Sequence, residues 1–203
     1  MGLRDRCKDS LGDYYLALNP SYDYVPFQQE RIVPVLEGVE CGDIDRLMIF
    51  MPAGHAKTQM ATKAFIPWYL GRNPKENVIL LCHTQPLAKD FGSDIRNTMT
   101  KNEAHRQVFP DIRVDSSNHA SDFFKLNKGG AFYAFGMDGG MTGRRADLIM
   151  NQNGNGNWDG LPIQTAAIGD ANNLVNIFRI DFLGGAAVKQ YRHVIRAFTA
   201  AIS

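Results

Sequence analysis

Leu47-Met48-Ile49-Phe50-Met51-Pro52-Ala53-Gly54-His55-Ala56-Lys57-Thr58 runs from an apolar segment through a turn into a Lys-Thr pair. The unbroken apolar run from Leu47 to Met51 suits a strand buried on both faces of a parallel sheet. A Pro/Ala/Gly turn follows, and the spacing from about Lys57 to Leu70 predicts a helix that stops at Gly71. Strand, tight turn, Lys-Thr and helix, in that order, is an arrangement that cradles phosphate. Backbone N–H groups face inward, the lysine reaches the β- and γ-phosphates, and the hydroxyl ligates Mg2+. The strict glycines are missing: Met51 holds the first glycine slot and Ala56 the one before the lysine. Ala56 is tolerable there only with a negative φ, since a positive φ penalises any residue with a Cβ. The competing reading is an ordinary loop whose lysine is a solvated helix-start residue.

Further along the chain, Val78-Ile79-Leu80-Leu81-Cys82 reads as a second buried strand. It runs into Pro86 and a predicted helix on which Leu87, Phe91, Ile95 and Met99 recur every four residues. Ala131 to Phe135 is a third predicted strand and Ala146 to Met150 a fourth. Strands alternating with helices predict right-handed crossovers and a parallel sheet. Ligands of such sheets sit at the carboxyl ends of strands, which selects the loops after Met51, Cys82 and Met150.

Composition bounds the rest. The 203 residues carry 22 Lys+Arg against 21 Asp+Glu, and 44% are apolar, enough for a core. A net charge of +1 excludes a histone-like polycation. No apolar run reaches the roughly 18 residues of a membrane helix, and the N-terminus lacks a signal-peptide core. Cys7, Cys41 and Cys82 are widely spaced, which predicts reduced thiols and a cytoplasmic setting, without a membrane partner. Residues 1–150 hold 18 basic and 18 acidic residues; residues 151–203 hold four and three. At the junction, Asn151-Gln152-Asn153-Gly154-Asn155-Gly156-Asn157 is a turn-forming run that no regular element is expected to choose. Beyond it, Leu174 to Phe182 reads as a short strand or buried helix, and Ala186 to Ile202 as a helix.

Four segments in order carry a resemblance. Pro52-Ala53-Gly54-His55-Ala56-Lys57-Thr58 resembles the deviant Walker A of phage large terminase subunits, the ATP-driven motors that package DNA. Their usual form is Pro-Pro-Arg-His-Gly-Lys-Ser; Pro52, His55 and Lys57 match, and Thr58 is an allowed alternative. Phe27-Gln28-Gln29-Glu30-Arg31-Ile32 resembles the glutamine element near adenine, and His83 to Arg96 the family's second strand–helix element. Gly139 to Ile149 resembles the run leading into Walker B.

The resemblance implies a P-loop NTPase-type parallel sheet flanked by helices over residues 1–150, truncated, with an unmatched, divergent segment 151–203. It implies ATP and Mg2+ as cofactors. Lys57 would lie on the β/γ-phosphates, Thr58 on the metal, and the backbone of Ala53, Gly54, His55 and Ala56 around the phosphates. Gln28 or Gln29 would lie at the adenine edge. Gly54 replaces the family's loop arginine, so Arg144 or Arg145 is a candidate to stabilise the transferring phosphoryl group. Double-stranded DNA, the small terminase subunit and the portal protein are the implied partners, in the host cytoplasm.

The match breaks where hydrolysis needs acids. Ala146-Asp147-Leu148-Ile149-Met150 is followed by Asn151-Gln152-Asn153, and amides bring no charge and take no proton from water. Asp147 starts the strand, while Asp159 and Asp181 are distant rescues. His83 reads as a γ-phosphate sensor or a hydrogen-bonding residue at the helix start. Phe132, Tyr133 and Phe135 read as core packing rather than base stacking. Two readings stand side by side: an ATPase domain of a packaging motor, and a non-catalytic remnant that binds nucleotide or a partner without hydrolysis. A structural interaction protein and another P-loop enzyme are further alternatives.

Overall fold

Asn77–Cys82 forms a strand with a parallel neighbour on each side, so its Val78, Ile79, Leu80 and Cys82 are all buried. The structure is a computed structural model that describes residues 2–23, 25–50, 55–115, 120–136, 144–153 and 174–179. In chain order come α1 (Leu3–Asp9), α2 (Leu11–Leu18) and a π-helical segment, Gln28–Ile32, that runs into α3 (Val33–Cys41). β1 (Arg46–Phe50) is followed by a helix over 57–72, whose π-helical part Gln59–Ala64 runs into α4 (Phe65–Arg72). β2 (Asn77–Cys82), α5 (Gln85–Lys101), α6 (Glu103–Val108), β3 (Phe123–Lys125), β4 (Ala131–Gly136), β5 (Leu148–Asn153) and β6 (Leu174–Arg179) complete the described elements.

The fold is α/β, as the alternation of apolar runs and helices predicts, with six strands in the order β1-β6-β5-β2-β4-β3. β2 is parallel to β4 and β5. The sheet as a whole is mixed, which corrects the expectation of a parallel one. β6 lies antiparallel between β1 and β5, and β3 antiparallel to β4. For β3 and β4 the physical reason is connection length. Antiparallel neighbours need only a turn, and Asn127-Lys128-Gly129-Gly130 supplies one between β3 and β4. The two reversals around β6 cancel, so β1 points the same way as β5, β2 and β4. The carboxyl ends of these four strands therefore share one edge.

Asn151, Gln152 and Asn153 belong to β5, contrary to the expectation that no regular element would take them. Asn151 aligns with Leu81 on one side and Asn176 on the other, and pairing on both flanks overrides weak β-propensity. β5 and β6 also place residues on both sides of position 150 in one sheet.

Alternation assigns faces: Leu80, Ala134, Met150 and Gln152 share one, while Ile79, Tyr133, Ile149 and Asn151 share the other. The helix over 57–72 meets the first face, where Thr62 contacts Met150. α5 meets it too, lying so close that a Cβ on Gly92 would sit 2.0 Å from the Ser121 carbonyl oxygen. That approach turns the helix. Ala88, Gly92, Ile95 and Met99 are the buried stripe, and Leu87, predicted for the inner face, is among the exposed apolar residues. α4 is apolar on all sides because it is surrounded; Trp68 donates to the carbonyls of Cys7 and Lys8 and so fastens α1. Among the described residues no helix is long and apolar enough to cross a membrane.

Candidate functional site

The helix over 57–72 begins directly after Ala56, at the sheet edge where β1, β5 and β2 end. Ala56 has φ 58°, the one non-glycine residue with positive φ among those described. The sequence expectation of a negative φ is therefore corrected: alanine here occupies the left-handed turn that a glycine takes without penalty. A left-handed residue before a helix start turns successive backbone N–H groups toward one point, which is anion-binding geometry. Ala53 and Gly54, with Pro52, lie outside the described residues.

Lys57 follows at once and is only 7% exposed. No described carboxylate forms an ion pair with it, and burial lowers its pKa from the usual lysine range to about 8. A buried ammonium without a counter-ion is costly to fold and is relieved by an incoming anion. His55 is exposed, and its carbonyl accepts a hydrogen bond from Gln28 Nε2 at 3.1 Å. Of the two glutamines, then, Gln28 reaches the loop. Gln29, the other candidate for the adenine edge, packs against α2, where its Oε1 would lie 2.1 Å from a Cβ on Gly12.

Thr58 is held by a residue that sequence reasoning missed. Gln152 donates from Nε2 to Thr58 Oγ1 at 2.7 Å and accepts at Oε1 from Thr62 Oγ1 at 2.9 Å. The signal was available in spacing. Thr58 and Thr62 are four apart on one helix face, and Gln152 shares the strand face of Met150. In the sequence, position 152 stands out only as lacking an acid.

The residues at this edge do not fit Mg2+. Thr58 already accepts an amide N–H at its hydroxyl, β5 ends in the uncharged Asn151-Gln152-Asn153, and no described group of three His, Cys, Asp or Glu could hold a metal. Asp147 lies at the opposite end of β5, where its carboxylate accepts from Asn77 N–H at 2.7 Å. Asp159 and Asp181 lie outside the described residues, as does 137–143 of the run before β5.

Arg144 does not join Lys57. Its guanidinium stacks 4.9 Å over Tyr133 and 5.9 Å over Phe123, beside a Tyr133–Phe135 stack. Tyr133 is on the sheet face opposite Gln152, so the sheet lies between Arg144 and Thr58. Arg145 is exposed next to it. Of the three aromatics on β4, Phe132 is core, stacked on Phe124, whereas Tyr133 and Phe135 are half-buried on the other face. His83 is exposed just beyond Cys82, the partner of Gln152 in register, and so shares the edge of the loop.

Compared with protein-family models, curated proteins and solved structures, the chain matches none.

Proposed function

We propose that this chain is a terminase-like P-loop domain that binds ATP between β1 and the helix over 57–72 without turning it over efficiently. One observation carries the binding half. Lys57 is buried and unpaired among the described carboxylates, at a helix start that follows the left-handed Ala56. The triphosphate would supply the missing counter-charge to Lys57 and lie against the first amide N–H groups of the helix. Gln28, braced on the loop carbonyl of His55, would fix the loop from the α3 side.

The catalytic half is withheld because β5 ends in amides. A carboxylate there would orient or deprotonate the attacking water, a contribution of roughly 10²–10⁴ in rate. Gln152 carries no charge and takes no proton from water, and its amide is tied to Thr58 and Thr62. The remnant reading is therefore favoured over the working motor. DNA packaging, with double-stranded DNA, a small terminase subunit and a portal as partners in the host cytoplasm, rests on the four ordered sequence matches alone.

The test combines thermal unfolding with phosphate release in the presence of DNA. Saturating ATP is expected to stabilise the fold by about 2–3 kcal/mol at a hundredfold excess over Kd. Lys57→Met is expected to abolish that shift. Phosphate release is expected to equal that of Lys57→Ala. No shift at millimolar ATP refutes nucleotide binding, and turnover well above the Lys57→Ala background restores the motor.

A further inference from the structure

Mg2+ normally links a P-loop hydroxyl to the acids of the neighbouring strand, and here a side chain makes that link directly. Gln152 spans from β5 to the helix over 57–72, with Thr58 Oγ1 at 2.7 Å and Thr62 Oγ1 at 2.9 Å. Whichever way the amide is turned, one of its two polar atoms lies against the hydroxyl of Thr58. A magnesium ion on Thr58 would have to share that hydroxyl with the amide, which already holds one of its two lone pairs. Removing the amide would break both of its hydrogen bonds, one of them to Thr62, which is fully buried.

The charge balance agrees. A carboxylate at position 152 would repel an uncomplexed triphosphate unless a cation lay between them. A neutral amide does not, and the cation nearest in sequence to Thr58 is Lys57, already in place. We infer that Gln152 takes the place of the metal ion, so that the chain binds the uncomplexed nucleoside triphosphate and needs no Mg2+ to hold it. This rests on the nucleotide reading above and specifies the form of the nucleotide that the site accepts.

The experiment is calorimetric titration of the wild-type chain with ATP, once in EDTA and once in excess MgCl2. Affinity in EDTA is expected to equal or exceed that in Mg2+. The Gln152→Glu variant is expected to reverse the order, binding ATP about tenfold more weakly in EDTA because of like-charge repulsion, with Mg2+ restoring it. Wild-type binding that is about tenfold tighter in Mg2+ overturns the inference while leaving nucleotide binding intact. Absence of binding in both buffers overturns the nucleotide reading and this inference with it. The wild-type pair decides the matter even if the variant folds poorly.

Discussion

The amide of Gln152 and the hydroxyl of Thr58 are bonded at 2.7 Å although 94 positions separate them in the chain. The contact joins the carboxyl end of β5 to the first turn of the helix after β1. It exists because β6 reverses direction twice over, once against each neighbour, and leaves β1 and β5 pointing the same way. The helix start that follows a degraded-looking loop is thereby tied to the sheet by a side chain of this same chain.

Ala56 holds a left-handed conformation at φ 58°, so Ala56→Gly is expected to stabilise the protein. Relief of the Cβ clash outweighs the added freedom of glycine in the unfolded chain, leaving a net gain of about 0.5–1 kcal/mol. Urea unfolding of the two proteins measures it. A loss of stability would mean that the strain is absorbed elsewhere in the loop.

Lys57 titrates near pH 8 in the free protein because burial disfavours its charged form. A phosphate bound there would favour the ammonium, so the proposed nucleotide binding would take up a proton above that pH. Affinity is expected to hold steady below about pH 8 and to fall, up to tenfold per unit, as pH rises beyond it. The sign for folding is opposite. The unfolded lysine keeps its proton to about 10.5, so this residue's penalty is full below pH 8 and is relieved as pH rises from 8 to 10.5. Titrations in buffers of different ionisation enthalpy, together with unfolding curves across that range, check both signs.

His105 is completely buried, with Nδ1 bonded to the Tyr14 hydroxyl at 2.6 Å and Nε2 without a partner among the described residues. Burial lowers its pKa from 6.5 to about 4, so the fold holds it neutral. The unfolded chain protonates it first as pH falls. Stability is therefore expected to drop between pH 6.5 and 4, by on the order of 3 kcal/mol in all. His105→Gln keeps an acceptor for Tyr14 and should lose that component of acid sensitivity. Unfolding midpoints measured at both ends of the range compare the two.

Gly92 lets α5 lie against the strand region at β3 and β4, where an added Cβ would meet the Ser121 carbonyl oxygen at 2.0 Å and Phe132 at 3.4 Å. A backbone oxygen cannot step aside as a side chain can. Gly92→Ala is expected to cost about 2–4 kcal/mol despite the better helix propensity of alanine. An unfolding free energy within 0.5 kcal/mol of wild type, the usual scatter of surface substitutions, would show that α5 can shift freely.

Much of this architecture was legible in the residues. Continuous apolar runs such as Val78 to Cys82 mark buried strands because no solvated face interrupts them, and the helix after Lys57 follows from its spacing and its stop near Gly71. Lys57 and Thr58 stood out as a candidate phosphate-binding pair, because that pattern is local and ordered. β6 was readable only as strand or buried helix, since a short apolar run fits both. What the chain wrote down was the elements and the loop.

Tertiary structure decided which residues meet at that loop. Pairing on both flanks carried β5 through three amides, and side-chain alternation turned Gln152 toward Thr58 and Tyr133, with its stacked Arg144, to the far side of the sheet. Helix rotation chose Gln28 over Gln29, and a tight turn imposed a positive φ on Ala56. Periodicity and motif spacing report local preference. Strand order, face and register arise from contacts between distant segments, and those set the chemistry of this site.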